Sequence, residues 1–150
     1  MSRTVYVCCG TGCLANNSMD VYKELKNLIE KYEVDAEVKT TVKATGCNGL
    51  CEKGPLVKIQ PDDICYSKVK ASDAEEIVKK TLLNGEIIDR LLIFDTAKGK
   101  KVTSHKDTDF YKSQHKIALR NIGEIDPANI DDYIERGGYE ALRKALSQMT

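Results

Sequence analysis

Six cysteines constrain this chain more than any other feature, because they come in two short pairs and not at scattered positions. They fall as Cys8-Cys9-x3-Cys13, then Cys47-x3-Cys51, then Cys65 alone. The first residues lack the apolar h-region and small-residue cleavage site of a secretory signal, and no stretch approaches the length of a membrane-spanning helix. The expected compartment is therefore the reducing cytoplasm, where clustered cysteines point to metal or redox chemistry before disulfides. Lysine plus arginine equal aspartate plus glutamate at 23 each. A chain with no net charge has no general electrostatic claim on nucleic acid or an acidic membrane.

The pattern between the cysteines is that of an α/β protein. Val5 and Val7 alternate with polar neighbours and predict a first strand running into the first cysteine loop. Val21, Leu25, Leu28, Ile29 and Tyr32 form one apolar stripe of a helix from about Ser18, with Asn17 or Ser18 as N-cap. Val38, Thr40 and Val42 alternate with Glu37, Lys39 and Thr41 as a second strand. Leu56, Val57 and Ile59 predict a third, and Ile64-Cys65-Tyr66 a hairpin partner across Pro61-Asp62-Asp63. Ser72 and Glu75 have capping-box spacing before a helix carrying Ile77, Val78 and Leu82 and ending at Asn84-Gly85. The order β-α-β then β-β-α predicts a thioredoxin-like fold, a mixed sheet flanked by helices, over 1–94. The polar stretch 95–109 reads as a linker. Residues 110–150 read as a helical appendage: a helix from Phe110 to Arg120, another started by Asp126-Pro127 with Ile130, Tyr133 and Ile134 on one side, and a last one carrying Leu142 and Leu146.

Four thiolates on two short loops suit a [2Fe–2S] cluster, with two thiolates per iron, and they also suit structural zinc. A disulfide framework is a third reading, and thiol–disulfide exchange a fourth, weakened because no C-x-x-C is present. Spacing leaves these open, together with the choice between Cys8 and Cys9. Gly10 and Gly12 in the first loop, and Gly46, Gly49 and Gly54 around the second, let backbone amides approach sulfur closely. Cys65, inside a strand, reads as a buried inert thiol. His105 and His115 lie in lysine-rich sequence and read as solvated surface residues.

Both loops resemble those of a known family. Val7-Cys8-Cys9-Gly10-Thr11-Gly12-Cys13 and Gly46-Cys47-Asn48-Gly49-Leu50-Cys51-Glu52-Lys53-Gly54-Pro55-Leu56-Val57 are similar to the thioredoxin-like [2Fe–2S] ferredoxins. The branch they look most like is the N-terminal region of the NADH-binding flavoprotein (beta) subunit of NAD-reducing and electron-bifurcating [FeFe]-hydrogenases. The first loop of that branch reads C-G-G-T-G-C. The resemblance thus implies a [2Fe–2S] cluster on Cys8, Cys13, Cys47 and Cys51, with Cys9 where glycine is usual. Gln114–Asn121, Ile125-Asp126-Pro127, Asp132-Tyr133-Ile134 and Gly137-Gly138-Tyr139-Glu140-Ala141-Leu142 are similar to the connector before the flavin domain.

The resemblance implies a one-electron carrier within a multisubunit NAD(P)-linked hydrogenase or related oxidoreductase. Its partners would be flavoprotein and iron–sulfur subunits, and a homodimer is a further expectation. No FMN or NADH loop precedes Thr150, so no independent catalysis is expected. A zinc-stapled, non-redox scaffold module is the alternative.

Overall fold

The computed structural model describes residues 3–32, 34 and 40–149. Strand β1 (Arg3–Cys8) lies inside a four-stranded sheet of order β2-β1-β3-β4, formed with β2 (Thr40–Thr45), β3 (Val57–Gln60) and β4 (Ile64–Tyr66). β1 pairs parallel with β2 and antiparallel with β3, and β3 pairs antiparallel with β4. A parallel neighbour requires a crossover, and α2 (Ser18–Lys31) supplies it, after the single turn of α1 (Thr11–Leu14). Of the expected second strand, Glu37, Val38 and Lys39 lie outside the described residues, and the strand continues to Thr45.

Strand alternation divides the sheet into two faces. On the first, Val5, Val7, Val57, Ile59, Ile64 and Tyr66 pack against Val21, Leu25, Leu28 and Ile29 of α2 and against Ala74, Ile77, Val78 and Leu82. The last four belong to α3 (Ala74–Glu76), which is prolonged as a π-helix through Ile77–Leu83. The helix start differs from the expected Ser72/Glu75 box. The Asp73 carboxylate accepts the Lys70 N–H at 2.8 Å and also holds Arg90 at 2.9 Å, whereas Glu75 faces Tyr32 and Lys79. Asp73 wins because it is buried, where a carboxylate must be hydrogen-bonded. Asn17 does stand at the N-cap of α2, but in the left-handed conformation (φ 61) and with no side-chain cap bond.

The second face carries Tyr6, Cys8, Lys58 and Cys65, and the expected linker covers part of it. Residues 95–109 are ordered structure: β5 (Ile93–Asp95) and β6 (Lys100–Val102) pair as a hairpin, followed by a 3-10 turn at His105–Asp107. The polar side chains that made this stretch look like a linker bond its own backbone. Asp95 accepts the Ala97 and Asp109 N–H groups, Ser104 accepts Lys106 N–H, and Thr108 donates to the His105 carbonyl. Ile93 and Val102 join Cys8, Cys13, Leu56 and Cys65 in a second apolar cluster.

The expected helix from Phe110 to Arg120 shrinks to α4 (Asp109–Lys112). Ile117 and Leu119 are 70% and 59% exposed, so that stretch has no apolar stripe against the core to sustain a helix. Asp126 forms a turn with the Ala128 N–H, and Asn129 caps α5 (Ile130–Glu135) through Asp131 N–H. The buried Asp132 of α5 pairs with Lys43 of β2 at 2.8 Å, fixing the extension to the sheet edge. α6 (Glu140–Gln148) has no buried residue, and Leu142 and Leu146 face outward. Among the described residues no helix is long and apolar enough to cross a membrane.

His105 is also not the solvated residue expected; it is 5% exposed and its ring stands edge-on to Tyr111. Burial, reinforced by the Lys58 charge, pulls its pKa down from 6.5 to about 4. The neutral form is favoured in the fold, so the stabilisation is complete above pH 6.5 and is lost as pH falls through 4. The stability advantage of wild type over His105→Phe should therefore shrink by up to about 3 kcal/mol between pH 7 and pH 4. Urea denaturation of both proteins at the two pH values checks this.

Candidate metal centre

Parallel pairing brings the C-terminal ends of β1 and β2 side by side, with Cys8 opposite Thr45 as the last pair. Both cysteine loops therefore leave the sheet at one end. Cys8 closes β1 and Cys13 sits in α1. Cys47 and Cys51 occupy the loop from β2 to β3, and Cys51 opens the 3-10 turn Cys51–Lys53. The junction is tied by backbone bonds: Cys9 N–H donates to Thr45 O at 2.8 Å and Cys8 N–H to Leu56 O at 3.0 Å.

The loops press against each other where side chains are absent. A Cβ on Gly10 would stand 2.6 Å from Cys47 Cβ, and one on Gly54 would stand 2.5 Å from Cys13 Sγ. Two glycines, one per loop, thus set the closeness of the pairs. All six thiols are free. Cys47 and Cys51 sulfurs lie 3.5 Å apart, and Gly49 N–H points at Cys47 Sγ at 3.3 Å. Cys8 and Cys13 are both buried in the second apolar cluster, and Cys8 Sγ donates to the Gly46 carbonyl at 3.6 Å. Among the described residues no group of three or more His, Cys, Asp or Glu side chains surrounds a single metal position.

The environment of the pairs is graded. Cys8 and Cys13 are buried, Cys47 is half-buried and Cys51 exposed. Burial pushes the Cys8 thiol up, but the backbone N–H groups of Gly10 and Asn48 outweigh it and the net shift is downward. Cys13 is pushed up to about 12, chiefly by burial. Cys51 is raised chiefly by its hydrogen bond with Cys47. Thiolate is the ligand form, so a cation binding here displaces thiol protons.

The other cysteines stand apart from this arrangement. Cys9 is half-buried and packs toward the helical face of the sheet, with Ser18 Oγ 4.0 Å from its sulfur, and burial raises its pKa. Cys65 lies in β4, is 1% exposed and is pushed up to about 12 by burial. His115 is exposed and outside the group. Sequence reasoning missed Asn48, Lys58, Tyr111 and Gly123. Lys58 carried one signal, a charge between two buried strand positions; the contacts of Tyr111 and Gly123 with Asn48 had none.

A methyl group at position 54 has no room beside Cys13 Sγ. Gly54→Ala is expected to keep the far-UV circular dichroism of wild type but to lose most of its iron and acid-labile sulfide, both measured per chain after anaerobic purification.

The family model described as thioredoxin-like [2Fe-2S] ferredoxin matches residues 2–82. The [2Fe-2S] ferredoxin of Clostridium pasteurianum is 36% identical over 81 residues, covering 54% of this chain and 78% of that protein. The [2Fe-2S] ferredoxin of Aquifex aeolicus is 37% identical over 90 residues, covering 59% of this chain and 76% of its own length. A 1.5 Å crystal structure of the wild-type thioredoxin-like [2Fe-2S] ferredoxin from Aquifex aeolicus superposes with a TM-score of 0.57 and 31% identity, over 61% of this chain and 96% of that one. A shorter likeness, 58% identity over 36 residues, joins 24% of this chain to 7% of the NADP-reducing hydrogenase subunit HndC of Solidesulfovibrio fructosivorans. With its sheet, its paired cysteine loops and a family match over most of the first 82 residues, this chain belongs to the thioredoxin-like [2Fe-2S] ferredoxins.

Proposed function

We propose that this chain holds one [2Fe–2S] cluster on Cys8, Cys13, Cys47 and Cys51 and serves as a one-electron carrier within a multisubunit NAD(P)-linked hydrogenase or a related oxidoreductase. The observation that carries the reading is the gathering of four free thiols, Cys8, Cys13, Cys47 and Cys51, on two contacting loops at one end of the sheet. That donor set fits the group: two thiolates per iron, no histidine required. When bound, the cluster accepts and returns a single electron at a potential set by its hydrogen bonds, charge and exposure.

The protein's own residues divide the remaining work. Burial of Cys8 and Cys13 keeps water from one side, and the glycines hold the two loops in contact. Cys51 is the exposed corner and lines an open cleft of about 760 Å³ with Asn16, Asp20, Lys68 and Lys70. A redox partner reaches the centre most directly from that side. The short likeness to a hydrogenase subunit supports a hydrogenase-type complex, with flavoprotein and iron–sulfur subunits as the partners.

Anaerobically purified protein should contain about two irons and two acid-labile sulfides per chain and give an S = 1/2 signal after dithionite reduction. One zinc and no sulfide, persisting through iron–sulfide reconstitution, would replace this reading with a zinc-stapled scaffold. Cys51→Ser should lose most of its iron and fall in thermal stability, because metal binding is coupled to folding. Cys65→Ser should leave the visible spectrum unchanged.

A further inference from the structure

Residues 108–124 lie beyond the stretch that matches the family, yet they close over the second cysteine loop. Four contacts make the closure. Tyr111 Oη donates to the backbone carbonyl of Asn48. Gly123, at φ +75, lies directly against the Asn48 carboxamide, where a side chain has no space. Ile122 and Phe110 approach Gly46 and Gly49, with Ile122 Cγ1 3.6 Å and Phe110 Cε1 3.9 Å from the positions a Cβ would take. Lys58, 2% exposed, holds the far end by donating to the Gly123 carbonyl and to Glu124 Oε1, the latter at 2.8 Å.

The closure buries Asn48 to 4% exposure and leaves its Nδ2 as a buried donor with no hydrogen-bond partner. A buried amide nitrogen without a partner has given up its hydration for nothing and calls for an explanation. Asn48 follows Cys47 directly, in the loop against which Gly10 of the first cysteine loop packs. One donor is therefore held, dry and unspent, in the second cysteine loop.

We propose that Asn48 is a positioning residue for the centre, its Nδ2 donating to sulfur when the cluster is in place, and that residues 108–124 are the clamp that aims it through Tyr111 and Gly123. The inference rests on the cluster assignment above. A donor to sulfur favours the more negative, reduced form and so raises the reduction potential. Water admitted to the site also favours the reduced form. Loss of the donor and entry of water therefore act with opposite sign, which separates this role from simple shielding.

The test is the midpoint potential of the full-length chain, from redox titration followed by EPR, with iron and sulfide counted first. Asn48→Leu fills the same space without a donor and should move the potential to more negative values; Asn48→Ser, a smaller donor, should recover part of the shift. Tyr111→Phe keeps the ring in place and should move it the same way by less. In the Asn48→Leu background Tyr111→Phe should add nothing. An unchanged or more positive potential in Asn48→Leu overturns the inference, as does a Tyr111→Phe shift of full size in that background. If Asn48→Leu does not load a cluster, Tyr111→Phe decides: a more negative potential supports the clamp, and an unchanged or raised one removes it. A wild-type chain without two irons and two sulfides overturns the assignment beneath the inference, and is distinguished from these results by the metal count.

Discussion

The parallel pairing of β1 with β2 is the constraint on which the rest of the molecule depends. It requires a crossover, which α2 provides, and the crossover helix brings the apolar stripe that fills the first core. The same pairing places Cys8 beside Thr45, so two loops far apart in sequence emerge at one edge. Antiparallel pairing would have sent the second cysteine loop to the opposite end of the sheet. The centre is thus a by-product of strand direction: once the sheet forms, the thiols are neighbours, and the glycines adjust only the last few ångströms.

The two sheet faces are built on different principles. The helical face is an aliphatic core that needs nothing but shape and area. The other contains a lysine at 2% exposure, a buried histidine and a buried thiol, and so must satisfy charge and hydrogen bonding as well as fill space. Lys58 meets that demand with Glu124 and the Gly123 carbonyl, contacts across more than sixty positions of sequence. Its ammonium also lies 5.3 Å from the Tyr6 ring centre, so an aromatic face shares the charge.

What could be read from sequence follows from how local each signal was. The cysteine pairs and their glycines are short-range patterns, and Val5/Val7, Val57/Ile59 and Val21–Ile29 carry the periods of strand and helix. These gave the fold class and the residues that the structure brings together. The stretch 95–109 misled because Asp95, Ser104 and Thr108 use their polarity on nearby backbone groups and not on solvent, which composition alone does not distinguish. Residues 110–120 misled in the opposite way: apolar residues at helical spacing have no surface to pack on. The contacts of Asn48 with Tyr111 and Gly123 are long-range and aperiodic, so no sequence pattern announces them.

Lys58 has a consequence for where this molecule can be cut. The family match spans residues 2–82, but the counter-charge for a lysine in the middle of that stretch is supplied at residue 124. Trimmed to that stretch, the sheet would lose the cover of its second face and leave the Lys58 ammonium without Glu124 and the Gly123 carbonyl. The portion that marks ancestry and the portion that makes a self-sufficient object are therefore different lengths of chain, and anyone grafting this module into another protein must carry the longer one.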